Sequence, residues 1–222
     1  MSLVVKPERR RFTVGGNSTT PLEAGWEMCA TEASVAATPD DLPASLDWVA
    51  ASVPGTVASS FGATHLDQHP EYDAQDWWYR ASFEAPGRQG RVLLHFDGLA
   101  TLAEVWLNGH LIHASANMFV PAAVDVTDKL LGANRLVVVF RSLDHIPTPR
   151  RPRPHWKTRL VSKQSLRWHR TTLLGRIRGW TPRISPVGPW RPIWLEVVTD
   201  CEVTDEVIHT DWHDGVGSMH LS

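Results

Sequence analysis

The sequence predicts an all-β fold, an antiparallel β-sandwich, and three observations point there. Short apolar stretches bounded by turn residues recur from Ala24 to Val198, almost nothing repeats at helical period, and Asn108-Gly109 sits between two such stretches. A chain of 222 residues, 42% hydrophobic, can bury a substantial core in one large all-β domain, while 16 Pro, 15 Gly and 2 Cys exclude collagen-like and disulfide-stapled classes.

In chain order, Gly25–Cys29 reads as a first strand. Val53-Pro54-Gly55-Thr56-Val57 is an extended segment broken by Pro-Gly, and Ala58–His65 reads as the one short helix. Strands follow at Trp77–Glu84 and Val92–Gly98, then at Ala103–Leu107 and His110–Ala114 around Asn108-Gly109, a pair that tolerates the positive φ of a type I′ hairpin turn. Leu136–Phe140 and Ile193–Val198 complete the set. Alternation puts Val92, Leu94 and Phe96 on one face, with Leu93 and His95 on the other. Trp77 and Trp78 must likewise point to opposite faces, one into the core and one toward a loop or a neighbouring domain. Leu136–Phe140 is apolar on both faces, which places it mid-sandwich or under an outer cover. Beyond Asp200 the register changes: Cys201–Thr210 reads as a strand opening a new domain, with Gly215–Ser222 starting the next, so the expected division is 1–200 and a truncated 201–222.

Composition narrows function mostly by exclusion. No run of about 18 apolar residues could span a membrane, and the charged start MSLVVKPERRRF has no apolar leader region, so the cytoplasm is the expected compartment. Cys29 and Cys201 are too few to argue for an oxidising one. No Gly-x-Ser-x-Gly elbow or Gly-rich phosphate loop occurs, and no cofactor is expected. His65 and His69 stand four apart but lack the Glu of a zinc-protease motif and run into Pro70, so they read as a polar loop, not as metal ligands. Glycoside hydrolysis needs two carboxyl groups about 5 Å apart for retention. The adjacent acidic pair Asp40-Asp41 lies in a loop, so no catalytic residue is expected.

One segment differs in kind. From His145 to Leu195 there are 12 Lys+Arg and no Asp or Glu, and Trp156, Trp168, Trp180 and Trp190 are spaced along it. Its start, Thr148-Pro149-Arg150-Arg151-Pro152-Arg153-Pro154, cannot join a ladder, so it reads as a long excursion from the sandwich. Cations and stacking rings are what a single-strand nucleic-acid binder uses, but the formal net charge of −2 speaks against that partner. The competing account is an intramolecular one, with unmatched cations facing an acidic neighbouring domain. Trp, at 11 residues, outnumbers the 6 Phe and 2 Tyr together, and a flat indole serves both core packing and sugar stacking.

Val53–Val57, Asp76-Trp77-Trp78-Tyr79-Arg80, Leu94–Ala100 and Ala103–Gly109 resemble, in that order, the N-terminal sugar-binding domain of glycoside hydrolase family 2, nearest its β-mannosidase-like branch. Asn117-Met118-Phe119, Leu131–Leu136 and Gly188-Pro189-Trp190-Arg191-Pro192-Ile193 continue the match, which runs from about Gly25 to Val198. The resemblance implies a jelly-roll, galactose-binding-like sandwich, followed in the complete enzyme by an immunoglobulin-like domain near Glu202 and a TIM barrel with the catalytic glutamates. It further implies that the loop before the last strand reaches the pocket of a β-glycosidase. Relatives there carry Gly-Trp-Asp-Trp-Gly-Pro, where this chain has Gly179-Trp180-Thr181-Pro182-Arg183, without the Asp that touches sugar. Trp180, Arg183 and Arg178 are then the candidate sugar contacts, and Trp168, Arg170, Trp190 and Arg191 the candidate domain-interface residues. A free-standing carbohydrate-binding module is the rival reading.

Overall fold

The computed structural model describes residues 17–62, 71–87, 90–146, 158–161, 163–177, 179–180, 182, 184–199 and 207–221. The strands are β1 (Ser18–Pro21), β2 (Glu27–Glu32), β3 (Val49–Ala50), β4 (Gln75–Glu84), β5 (Arg91–Phe96) and β6 (Ala103–Leu107), then β7 (His110–Ser115), β8 (Ala122–Asp125), β9 (Ala133–Phe140), β10 (Ile193–Val198), β11 (Ile208–His213) and β12 (Val216–Leu221). They form a six-stranded sheet ordered β3-β2-β4-β9-β6-β7, a four-stranded sheet ordered β1-β10-β5-β8, and a β11-β12 hairpin. Every strand pair is antiparallel, as the turn-rich sequence predicts.

Period-two alternation builds the core between the two large sheets. Trp77, Tyr79, Leu136, Val138 and Phe140 of the larger sheet meet Val92, Leu94, Phe96, Ile193, Leu195 and Val197 of the smaller one. Tyr79 meets Phe140 edge to face, 5.4 Å between ring centroids. On the other side of β5, Leu93 is buried as well and His95 stacks on Trp194 at 3.8 Å.

The outer face of the larger sheet carries a second apolar layer. Cys29, Trp78, Trp106, Val137 and Val139 are covered there by Ala36, Leu42, Leu46 and Trp48 of the β2–β3 connection, so the chain supplies its own outer cover. Burial pushes the Cys29 thiol up to about 12, with nearby Arg80 working the other way, which leaves it a packing group. Arg141 holds the cover down: it donates to the carbonyls of Ala36 and Ala37, pairs with Glu104 and with buried Asp76, and lies over the Trp78 ring. Asp76 also accepts from the backbone amides of Ser142 (2.7 Å) and Ser34 (3.1 Å), tying β4, β9 and the cover together.

Two expectations shift. The helix α1 is Val57–Phe61, not Ala58–His65, because the Thr56 side chain caps Ser59 N–H and Gly62, at φ 74°, ends it. Residues 63–70, with the His65/His69 pair, lie outside the described set. The strand expected at Cys201–Thr210 is described from Ile208, and it turns through Asp214-Gly215 into β12. Asp40-Asp41 belongs to a 3-10 turn, Pro39–Asp41, in which hydrogen bonds from Thr38 to Asp41 hold that carboxyl below its usual range.

If β9 is the central strand, Leu136→Ala should cost about 2–5 kcal/mol, whereas Leu131→Ala, at an exposed position of the preceding loop, should stay within about 0.5 kcal/mol. Urea unfolding followed by Trp fluorescence checks both.

Candidate functional site

Several of the motifs meet at one end of the sandwich. Gly55 N–H donates to Pro189 O and Val57 N–H to Val187 O, so the Val53–Val57 segment pairs with the Gly188-Pro189 segment. Gly188 exchanges two backbone hydrogen bonds with Ala100, at 3.0 and 3.1 Å. At φ 129°, a Cβ on Gly188 would sit 2.8 Å from the Tyr79 hydroxyl, so the position requires glycine. A Cβ on Gly98 would lie 2.6 Å from Trp190 Nε1, which explains the Asp97-Gly98 pair. Trp190 Nε1 donates to Met118 O at 2.9 Å, bringing Asn117-Met118-Phe119 to the same end.

The arm between β9 and β10 leans on that end. Leu143, Val161 and Leu166 form a small apolar cluster beneath it, packed with Leu102 and Ile177. Met118 N–H donates to Arg170 O, Met118 Sδ accepts from Thr172 N–H, and the Thr101 hydroxyl donates to Thr171 Oγ1 at 2.6 Å. Lys163 pairs with Asp144 and with Glu71. Burial works against its charge, but the contact with Asp144 and the nearby Asp73 and Glu71 raise its pKa overall. Arg176 reaches the buried carboxylate of Asp73 through two 2.7 Å hydrogen bonds. Two of the arm's twelve cations, Lys163 and Arg176, thus meet acids distant in sequence that the fold brings beneath the arm. An open groove of about 420 Å³ runs along it, lined by Val161, Leu166, Leu173, Gln164, His169 and neighbouring residues.

The expected site residues fall in different settings. Trp180 is 75% exposed. Arg178 and Arg183 lie outside the described residues. Trp168 is half-buried at the end of a 3-10 turn, Gln164–Trp168, and Arg170 is exposed. Trp190 is engaged within the sandwich end, with Arg191 stacked on it at 4.2 Å. Asp73, Thr171, Gly175 and Arg176 were not legible as site residues. Asp73 is an ordinary loop acid in sequence, and Arg176 is one of twelve cations, 103 positions from its partner.

Among the described residues no three His, Cys, Asp or Glu side chains cluster as a metal site would need. The arm presents indole, hydroxyl and guanidinium groups over a rigid sandwich, as a binding loop on a scaffold does.

An antiparallel sandwich of two sheets with an arm packed on one end is the architecture of a galactose-binding-like domain. The chain belongs to the family described as glycosyl hydrolase 2 galactose-binding domain-like, whose model matches residues 26–191. It is 33% identical over 186 residues to the β-mannosidase B of Aspergillus terreus, covering 72% of this chain and 21% of that one. It is 36% identical over 134 residues to the β-mannosidase B of Thermothelomyces thermophilus, covering 54% and 15%. In structure it resembles the β-D-mannosidase of Dictyoglomus thermophilum, with a TM-score of 0.71 and 21% identity, covering 92% of this chain and 25% of that one. A β-glucuronidase from an uncultured Clostridium shares the fold at a TM-score of 0.60 and 18% identity, covering 95% and 34%. The chain thus spans about a fifth or less of the length of these two curated relatives.

His169 supplies a pH test of this arrangement. Burial lowers its pKa, the Arg176 guanidinium lowers it further, and Asp73 only partly offsets them. The folded chain therefore resists a proton that the unfolded chain accepts near pH 6.5. Stability is complete above that pH and is lost as pH falls toward the depressed folded value. His113, lowered by burial, adds the same sign. Urea midpoints between pH 7 and pH 5 should fall less in His169→Gln than in wild type, and least in the His113→Gln/His169→Gln double variant.

Proposed function

We propose that this chain is the non-catalytic sandwich of a β-mannosidase-like family 2 glycoside hydrolase. It packs against immunoglobulin-like and TIM-barrel neighbours and lends the Gly179–Arg183 loop to one wall of a β-glycoside pocket. The observation that carries this reading is Trp180, 75% exposed on a loop beside the anchored arm, within a chain whose family is that of glycosyl hydrolase 2. An exposed indole offers a sugar a stacking face, and Arg178 and Arg183 would donate hydrogen bonds to its hydroxyls. Trp168, Arg170, Trp190 and Arg191 would face the neighbouring domains. The β11–β12 hairpin, which exposes Ile208, Trp212 and Met219, would open the immunoglobulin-like one at 201–222.

The missing Asp-Trp-Gly portion leaves the sugar open among β-glycosides, with mannoside named by the curated relatives. The reading needs no cofactor, membrane or nucleic acid.

Turnover of aryl β-mannosides, β-glucuronides and β-galactosides, measured for this chain and for the longer protein carrying the barrel, tests the division of labour. The chain alone should show none, and calorimetry should give it a Kd for monosaccharides weaker than about 1 mM. In the longer protein, Trp180→Ala should raise KM by about tenfold, the loss of roughly one good contact. Hydrolysis or submillimolar sugar binding by the chain alone would favour an autonomous module, and steeply salt-dependent retention on single-stranded DNA would favour the nucleic-acid reading.

A further inference from the structure

We infer that Asp73 and Arg176 are positioning residues: their buried ion pair, with Gly175 seated against Ile184, pins both ends of the Trp180 loop to the sandwich and so fixes where that loop can meet a sugar. The inference rests on the proposed pocket-wall reading and names the groups that set its geometry.

Arg176 and Asp73 are almost wholly buried, with 4% and 2% of their side chains exposed. The guanidinium is used on every side. Nε donates to Asp73 Oδ2 and Nη2 to Asp73 Oδ1, both at 2.7 Å, while Nη1 donates to Thr172 O at 2.8 Å and Thr171 Oγ1 at 3.2 Å. A two-pronged contact of this kind fixes direction as well as distance, which a lysine could not do.

Asp73 is itself immobilised. It lies in the 3-10 turn Tyr72–Ala74 that leads directly into β4, and its carbonyl accepts from Ser142 Oγ at 2.7 Å and from Asp144 N–H at 3.2 Å. The anchor is therefore built on the two central strands of the larger sheet, β4 and β9.

Trp180 stands four residues beyond Arg176. On the far side of the loop, Ile184 comes back against Gly175 so closely that a Cβ there would overlap the Ile184 carbonyl. At φ 80° the glycine is also in the backbone region that other residues avoid. Neighbouring residues 175 and 176 thus hold the return and the departure of the same loop, on which Trp180 is exposed. The pair touches no sugar in this reading; it acts through the loop.

Removing one partner of a buried pair destabilises through the orphaned charge, so stability loss alone would not separate positioning from general support. The informative comparison is between Asp73→Asn and the double variant Asp73→Leu/Arg176→Met, in which both charges go and apolar packing replaces them. In the longer enzyme, both should raise KM for an aryl β-glycoside by about tenfold or more with kcat within about threefold. The double variant should do so at a Tm near wild type. In the 222-residue chain, hydrogen exchange at amides 172–180 should accelerate by at least about tenfold in both variants, while amides of β4 and β9 keep their protection in the double variant. A double variant with wild-type KM and wild-type exchange at 172–180 would overturn the inference. Absence of turnover in the wild-type longer protein would overturn the pocket-wall reading instead, and the pinned-loop inference would then be decided by the exchange data alone.

Discussion

Strand β9 is apolar on both faces, and the need to cover it twice organises the molecule. Its inward residues, Leu136, Val138 and Phe140, are buried by the second sheet, which is what a sandwich provides. Its outward residues, Val137 and Val139, need a second lid, and the β2–β3 connection supplies one from Ala36, Leu42, Leu46 and Trp48. That lid has no ladder of its own, so side chains hold it: Arg141 bonds its carbonyls while pairing with Asp76 and Glu104. A buried pair of this kind often adds little net stability over apolar packing. What Arg141 adds here is a set of direct hydrogen bonds to the Ala36 and Ala37 carbonyls of the cover.

The same device recurs where the arm meets the sandwich. Charge is segregated along the sequence, with 12 cations and no acid between His145 and Leu195. It is less segregated in space, because the fold lays the arm over Glu71, Asp73 and Asp144. Each of these acids stands next to a central strand, Glu71 and Asp73 just before β4 and Asp144 just after β9. The sheet that must be covered thus also anchors the arm. Gly188 can approach Tyr79 and Ala100 because it carries no side chain.

This division explains what was readable from sequence. Strands with alternating or doubly apolar residues were legible: β4, β5, β6, β9 and β10 lie where alternation puts them, and the Asn108-Gly109 turn closes β6 onto β7. Asn108 also reaches the Leu131–Leu136 motif, donating to Asn134 and accepting from Arg135 N–H, a link between two motifs that spacing cannot reveal. The edge strands β1 (Ser-Thr-Thr-Pro), β3 and β8 were not legible, because an edge half in solvent needs little apolar pattern. Alternation did say that Trp77 and Trp78 diverge, but the identity of the outer cover depended on a tertiary contact. The Asp73–Arg176 pair was illegible for the same reason, since one arginine among twelve carries no local mark of burial.

The arm's composition also constrains what it can recognise in the proposed role. A sugar hydroxyl both donates and accepts, but arginine and indole N–H groups only donate. A stretch of chain from His145 to Leu195 without a single carboxylate offers charged acceptors nowhere along its length. The charged groups of such a wall grip oxygen lone pairs and its indoles a ring face, and any charged acceptor for the hydroxyl protons must come from across the pocket. The carboxylates that a retaining glycosidase needs for chemistry are acceptors of that kind. Arm and catalytic domain would then divide the hydrogen-bonding duties, one supplying donors and stacking surface, the other acceptors and bond cleavage. In that role the Gly179-Trp180-Thr181-Pro182-Arg183 loop offers no charged acceptor, so discrimination that depends on one must come from the domain opposite.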